Sequence, residues 1–212
     1  MMLEQQFSGG SNRPSAVIAT GDLANHGAPG AYRRLQQKLA AFPVPCVWLP
    51  GNHDDVATMR DVTEVTGELA RSLTIGNWHL LMLDSTVPRQ VGGFLGDQEL
   101  RNFVTALTDL PSDTHIAIAV HHQPVAVGCE WLDQQRIADG EKLLSIIEAD
   151  KRVKAIFWGH VHQDYTAQLP ARDDVMLFAT PSSCAQFLPG SKDFALDKAM
   201  PGYRWIDLFP DG

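Results

Sequence analysis

Val153-Lys154-Ala155-Ile156-Phe157-Trp158-Gly159-His160-Val161-His162 is the stretch that decides the fold. The run from Val153 to Trp158 is apolar and short, as a buried strand is. It stops at a glycine followed by two histidines at i and i+2. On an extended segment those two rings point the same way, which suits a paired site. A strand that ends in chemistry-bearing residues invites a search for others of the same kind.

Three more are present. Ala16 to Thr20 reads as a buried strand and ends at Gly21-Asp22. Cys46 to Leu49 reads as a second and ends at Pro50-Gly51-Asn52-His53-Asp54. Ile116 to Val120 reads as a third and ends at His121-His122. Between them lie amphipathic stretches. Tyr32, Leu35, Leu39 and Phe42 follow helical spacing, as do Leu100, Phe103, Val104, Leu107 and Leu110, and Leu143 to Ile147 belong to a helix. Asp54 to Thr66 is weakly helical, and Trp78 to Leu83 is a strand. The part after Gln163 is β-rich, with strands expected over Val175 to Ala179 and Tyr203 to Phe209. The alternation gives an α/β layered domain from Ser15 to Gly212, preceded by a polar segment from Met1 to Pro14. In such folds ligands sit beyond the carboxyl ends of the strands.

Each segment alone has a plainer reading. Gly21-Asp22 and Gly51-Asn52-His53-Asp54 are also turn sequences, and a buried histidine is commonly bonded to backbone. It is the four in order, each at a strand end, that point to a site. Asp22 and Asn52 are 30 residues apart, Asn52 and His122 are 70, and His122 and His160 are 38, so only the fold can bring them together. Imidazole, carboxylate and amide oxygen form a donor set suited to Fe, Mn or Zn. Two such ions about 3.5–4 Å apart polarise a bridging water and hold phosphoryl oxygens. His53, beside a ligand, is placed to protonate a leaving group, with Asp54 orienting it or capping the next helix.

Bulk properties narrow the class further. The 212 residues are 44% hydrophobic, enough for a core, and carry a formal net charge of −8. That balance argues against nonspecific nucleic-acid binding. Three scattered cysteines without a CxxC pair fit a reducing compartment. No basic n-region with an apolar run opens the chain, and no stretch is long enough to span a membrane. The expectation is a soluble cytoplasmic protein that does not act on membranes, with its oligomeric state open. Trp131 and Phe187 read as core or lid aromatics, and His79 and His115 as structural.

With these segments quoted, the chain resembles the calcineurin-like metallophosphoesterases. Their motif series is Asp-x-His, Gly-Asp, Gly-Asn-His-Asp/Glu, a His before x-Pro, and Gly-His-x-His. Four of the five are here. Pro124 selects His122 as the fourth, leaving His121 to line the pocket or support a ligand. Ala19-Thr20-Gly21-Asp22-Leu23-Ala24, Gly128-Cys129-Glu130-Trp131-Leu132-Asp133 and Ala179 to Phe187 are most similar to the class III cyclic-nucleotide phosphodiesterases, the bacterial cyclic-AMP enzymes among them.

The resemblance implies a four-layer α/β-β-α sandwich, two divalent metal ions, and hydrolysis of 3′,5′-cyclic AMP to the 5′-monophosphate. Glycerophosphodiesters or other small diesters are the alternative substrates. It implies one metal on Asp22, Asn52, His122 and His160, and a second sharing Asp22 and taking His162. Asp22, Asn52, His53 and His162 would meet the substrate phosphate. The Asp-x-His motif is absent, since no Asp precedes Asp22. Relative to the family pattern both ends are therefore expected to be short, with the first strand missing. One metal position is complete and the other is left with two protein ligands, which allows a catalytically impaired metal-binding module or a strand supplied by a partner chain.

Overall fold

A computed structural model describes residues 13–212. The expected N-terminal polar segment lies outside them except for Arg13 and Pro14, which are irregular.

The chain opens with β1 (Val17–Ala19), crosses through α1 (Pro29–Leu39) and returns as β2 (Cys46–Trp48). β1 and β2 pair in parallel, Val17 opposite Cys46 and Ala19 opposite Trp48. Pro29 starts α1 where a missing N–H costs nothing. α2 (Val56–Thr63) follows, and Asp55 caps it by accepting from the Thr58 N–H at 2.7 Å.

A second sheet holds β3 (Ser72–Ile75), β4 (Trp78–Leu83), β5 (His115–Val120), β6 (Val153–Trp158), β7 (Tyr165–Leu169) and β8 (Arg172–Ala179), in the order β3-β4-β5-β6-β8-β7. Strands β4, β5, β6 and β8 are parallel, and β3 and β7 are antiparallel at the edges. α3 (Gly96–Asp109), the short α4 (Glu130–Asp133) and α5 (Gly140–Ala149) lie in its crossovers.

Side-chain alternation divides the core. Leu80, Met82, Ala117, Ala119, Ala155 and Phe157 face the small sheet and pack on Val47, Leu49 and Ile18. Leu81, Ile116, Ile118, Val120, Ile156 and Trp158 face the opposite way, onto Phe103 and Leu107 of α3 and Leu143 and Ile147 of α5. Ile116, Ile118 and Val120 are wholly buried, and each contributes roughly 1.5–3 kcal/mol through that burial. Tyr32 of α1, Met59 of α2 and Trp48 of β2 form a third cluster on the outer face of the small sheet. The order is helices, two strands, six strands, helices: the four-layer α/β-β-α sandwich.

Three features differ from expectation. β3 forms a hairpin with β4 around Gly76-Asn77, and β7 forms one with β8; neither was read from the sequence. Tyr203 to Phe209 is not a strand. Ile206 and Leu208 turn onto the core, but the segment is tied by side chains: Trp78 Nε1 donates to the Phe209 carbonyl at 2.7 Å and Arg204 Nε to the Ala179 carbonyl at 2.9 Å. Its residues alternate between inward-facing and outward-facing. Among the described residues no strand precedes β1 and no helix is long and apolar enough to cross a membrane.

Candidate metal centre

β1, β2, β5 and β6 end on one rim, and there the two sheets touch. His121 Nδ1 donates to the Thr20 carbonyl at 2.7 Å, and the Gly159 N–H donates to the His121 carbonyl at 3.1 Å. A Cβ on Gly159 would lie 2.7 Å from the Thr20 carbonyl oxygen, so only glycine permits this approach.

With Nδ1 engaged, His121 Nε2 lies 3.2 Å from Asn52 Oδ1 and 3.4 Å from Asp22 Oδ2. Three lone-pair atoms thus share one small space. Positive charge reconciles them, either a proton on His121 or a cation among the three. Burial opposes the charged form of His121, but Asp22 outweighs it and raises the pKa above the ordinary value. Burial likewise opposes ionisation of Asp22. The hydrogen bond and charge of His121, with the His53 N–H at 3.0 Å, hold that carboxyl far below its usual range.

His160 joins the group, its ring centroid 5.2 Å from that of His121. Its Nε2 faces Gln135 Oε1 at 3.1 Å. Burial, then the charge of His121, pushes His160 well below the ordinary imidazole range. His162 Nδ1 donates to the Ala185 carbonyl at 2.9 Å, and its ring stacks on Phe187 at 4.3 Å and 4°. Burial lowers its pKa as well. Both histidines, like Asp22, have positive φ: 54° for His160, 47° for His162 and 57° for Asp22. His160 and His162 are therefore not on an extended segment, contrary to the i, i+2 reading.

His121, His122 and His160 each offer a ligand atom within 4.8 Å of the others. Hydrogen bonding separates them. His122 Nδ1 accepts from the Ser85 hydroxyl at 2.8 Å and Nε2 donates to the Val91 carbonyl at 2.9 Å, so both nitrogens are spent. Burial and then the charge of His121 push its pKa down to about 3. The ring is a neutral strut under the loop that follows β4. His122 was the expected ligand of the pair; here the nitrogen that meets Asp22 and Asn52 is that of His121. Strand parity carried the signal. Ala117 and Ala119 face the small sheet, from which Asp22 and Asn52 come, and His121 continues their side. Ile118 and Val120 face the helices, and His122 continues theirs.

Asp54 does not cap α2, a role that falls to Asp55. It clamps two loops. Oδ2 accepts from the N–H of Leu23 (3.1 Å) and Gly51 (2.9 Å), and Oδ1 from the N–H of Ala24 (2.9 Å) and the hydroxyl of Tyr32 (3.0 Å). The loop bearing Asp22 is thus fixed to the loop bearing Asn52. His53 is exposed beside them, and its charge bears on both Asp22 and His162. Gln135 and the carbonyls of Thr20 and Ala185 were not singled out from the sequence, and Tyr32 was read only as part of a helix face; no spacing marks a carbonyl or a lone polar side chain as a support.

The family model for calcineurin-like phosphoesterases matches residues 2–164. The chain belongs to that family. A 3′,5′-cyclic adenosine monophosphate phosphodiesterase from Pseudomonas aeruginosa is 34% identical over 94% of this chain and 72% of its own length. The Escherichia coli (strain K12) protein of the same name is 37% identical over 92% and 70%. A dimetal phosphatase from Danio rerio shares the fold at TM-score 0.61 and 15% identity, over 79% of this chain and 72% of its own. Divalent metal ions belong to this family, and the histidine cluster with the oxygens of Asp22 and Asn52 at His121 offers donors of the kind they take. His79 and His115 lie elsewhere, bonded to Thr74 and to the Pro210 carbonyl.

Proposed function

We propose that this chain is a metal-dependent phosphodiesterase that hydrolyses 3′,5′-cyclic AMP, or a related cyclic nucleotide, to the 5′-monophosphate. One observation carries the reading: Asp22 and Asn52 turn oxygens onto the His121 nitrogen, with His160 beside it. The cyclic-AMP enzymes to which the chain is 34–37% identical support the substrate.

Asp22, Asn52, His121 and His160 would hold one cation; Asp22 and His162 would hold a second. Fe, Mn or Zn suits this donor set. When bound, the cations supply the positive charge that a phosphodiester and its transition state require. The remaining work belongs to the chain. Asp22, ionised, fixes the charge at the centre of the site, and Asp54 holds its loop against that of Asn52. Asn52 turns its oxygen toward His121, leaving the amide N–H groups for a phosphate oxygen. His53, exposed at the rim, donates a proton to the departing 3′ oxygen.

Three free cysteines support a reducing cytoplasmic setting. The test is turnover of cyclic AMP by the chain loaded with Mn(II), with 5′-AMP identified as product. Cleavage of an aryl phosphodiester with no action on cyclic AMP would reject the substrate and leave the phosphodiesterase. A second reading, a metal-binding module of low activity, is favoured by the second position having only Asp22 and His162 named as its ligands among the described residues. Metal analysis separates them: two tightly bound equivalents speak for the enzyme, one for the module.

A further inference from the structure

Gln135 lies in the connection between α4 and α5, half-buried between the exposed Gln134 and Arg136. Its backbone is held at both ends. The N–H donates to the Leu132 carbonyl at 2.9 Å, and the carbonyl accepts from the Gly93 N–H at 3.3 Å. Its side chain is thereby aimed, and the amide oxygen stands 3.1 Å from His160 Nε2.

An amide oxygen only accepts, so the ring nitrogen facing it carries the proton. The lone pair of a neutral His160 is then on Nδ1. His162 is held the other way, with Nδ1 donating to the Ala185 carbonyl and the lone pair on Nε2. The two histidines of one four-residue segment present different nitrogens, and a different acceptor enforces each. A backbone carbonyl cannot be altered by substitution, whereas Gln135 can.

We infer that Gln135 is a positioning residue for the candidate metal centre, its amide oxygen locking His160 in the Nε2-protonated tautomer so that Nδ1 is the donor atom. The inference rests on the metal-centre reading above. It places one determinant of metal affinity on a segment that carries none of the family's motifs.

The experiment compares the full chain with Gln135→Met, which keeps the length without the acceptor, and Gln135→Glu, which restores it. Nitrogen chemical shifts of labelled histidine in the metal-free protein report the His160 tautomer, and titration calorimetry with Mn(II) reports affinity. Wild type and Gln135→Glu are expected to show a protonated Nε2, and Gln135→Met a mixture of tautomers. Affinity is expected to fall about 10–100-fold in Gln135→Met and to return in Gln135→Glu. A Gln135→Met protein with the wild-type tautomer, or with affinity within twofold of wild type, overturns the inference, as does a wild-type His160 protonated on Nδ1. Should wild type bind no Mn(II), the metal-centre reading fails while the tautomer comparison still decides the role of Gln135. If Gln135→Met does not fold, Gln135→Glu decides alone: it must keep the Nε2 proton and bind Mn(II) at least as tightly as wild type.

Discussion

Replacing each of the adjacent histidines by alanine in turn separates the ligand from the strut. His122→Ala removes a wholly buried ring and its bonds to Ser85 and Val91, at 2.8 and 2.9 Å. Each bond is worth about 1 kcal/mol net, and the stranded partners and the void add to that, for a total of roughly 3–5 kcal/mol. In a chain of this size each kcal/mol lowers Tm by about 2–4 °C, so the expected fall is roughly 6–20 °C. Mn(II) affinity is expected to stay within a few-fold, because both His122 nitrogens are already hydrogen-bonded, to Ser85 and Val91. His121→Ala removes the nitrogen that meets Asn52 and Asp22. Supporting residues alone are worth 10–100-fold in affinity, so loss of the ligand itself is expected to cost ~1000-fold or more. Calorimetric melting without metal and Mn(II) titration, run on both variants, read the two quantities separately. Tight metal binding by His121→Ala together with its loss in a folded His122→Ala would refute the assignment and restore the one based on Pro124.

Three further outcomes follow from the same geometry. Asp54→Ala strips an acceptor from three N–H groups and from the Tyr32 hydroxyl; a loss of about 3–5 kcal/mol is expected in urea denaturation, and a loss below about 1 kcal/mol contradicts the clamp. His53→Ala should lower turnover by about 10²–10⁴ while bound metal, by elemental analysis, is unchanged; equal loss of both would make His53 a ligand instead. In metal-free protein, His122, His160 and His162 all have depressed pKa values, so below about pH 6.5 the unfolded chain binds more protons and stability falls with pH. With His122 held near about 3, that residue alone accounts for roughly 2 kcal/mol between pH 6.5 and 5. His121 works in the opposite sense, its contribution complete below about pH 6.5 and lost as pH rises through its elevated folded value. Flat melting temperatures between pH 7 and 5 would contradict the three depressed values.

Much of the architecture was legible because strand ends are marked twice. An apolar run stops, and a glycine with a polar side chain follows, as at Trp158-Gly159-His160. Helices declared themselves by spacing. The two missed strands, β3 and β7, are sheet edges with one exposed side, where hydrophobic signal is weak, although Gly76-Asn77 between Ile75 and Trp78 is a hairpin turn in plain view. Tyr203 to Phe209 shows the converse: side-chain alternation records which way residues face, and alone it does not assign a segment to a sheet. In the site, Asp22, Asn52, His160 and His162 were expected from motif and strand end, and the structure brings Asp22, Asn52 and His160 to His121. The choice between His121 and His122 hinged on which face of β5 meets the small sheet. The spacing to Pro124 is silent on that, whereas the small residues Ala117 and Ala119 point to it.

The left-handed backbone at Asp22, His160 and His162 has a consequence for anyone evolving this chain. Each such residue costs of order 1–3 kcal/mol that glycine would not. A library selected only for heat tolerance would therefore drift toward glycine at these three positions, shedding donor atoms as it gained degrees. Survivors of such a selection would be sturdier and empty-handed. Heat tolerance and metal retention would have to be selected together.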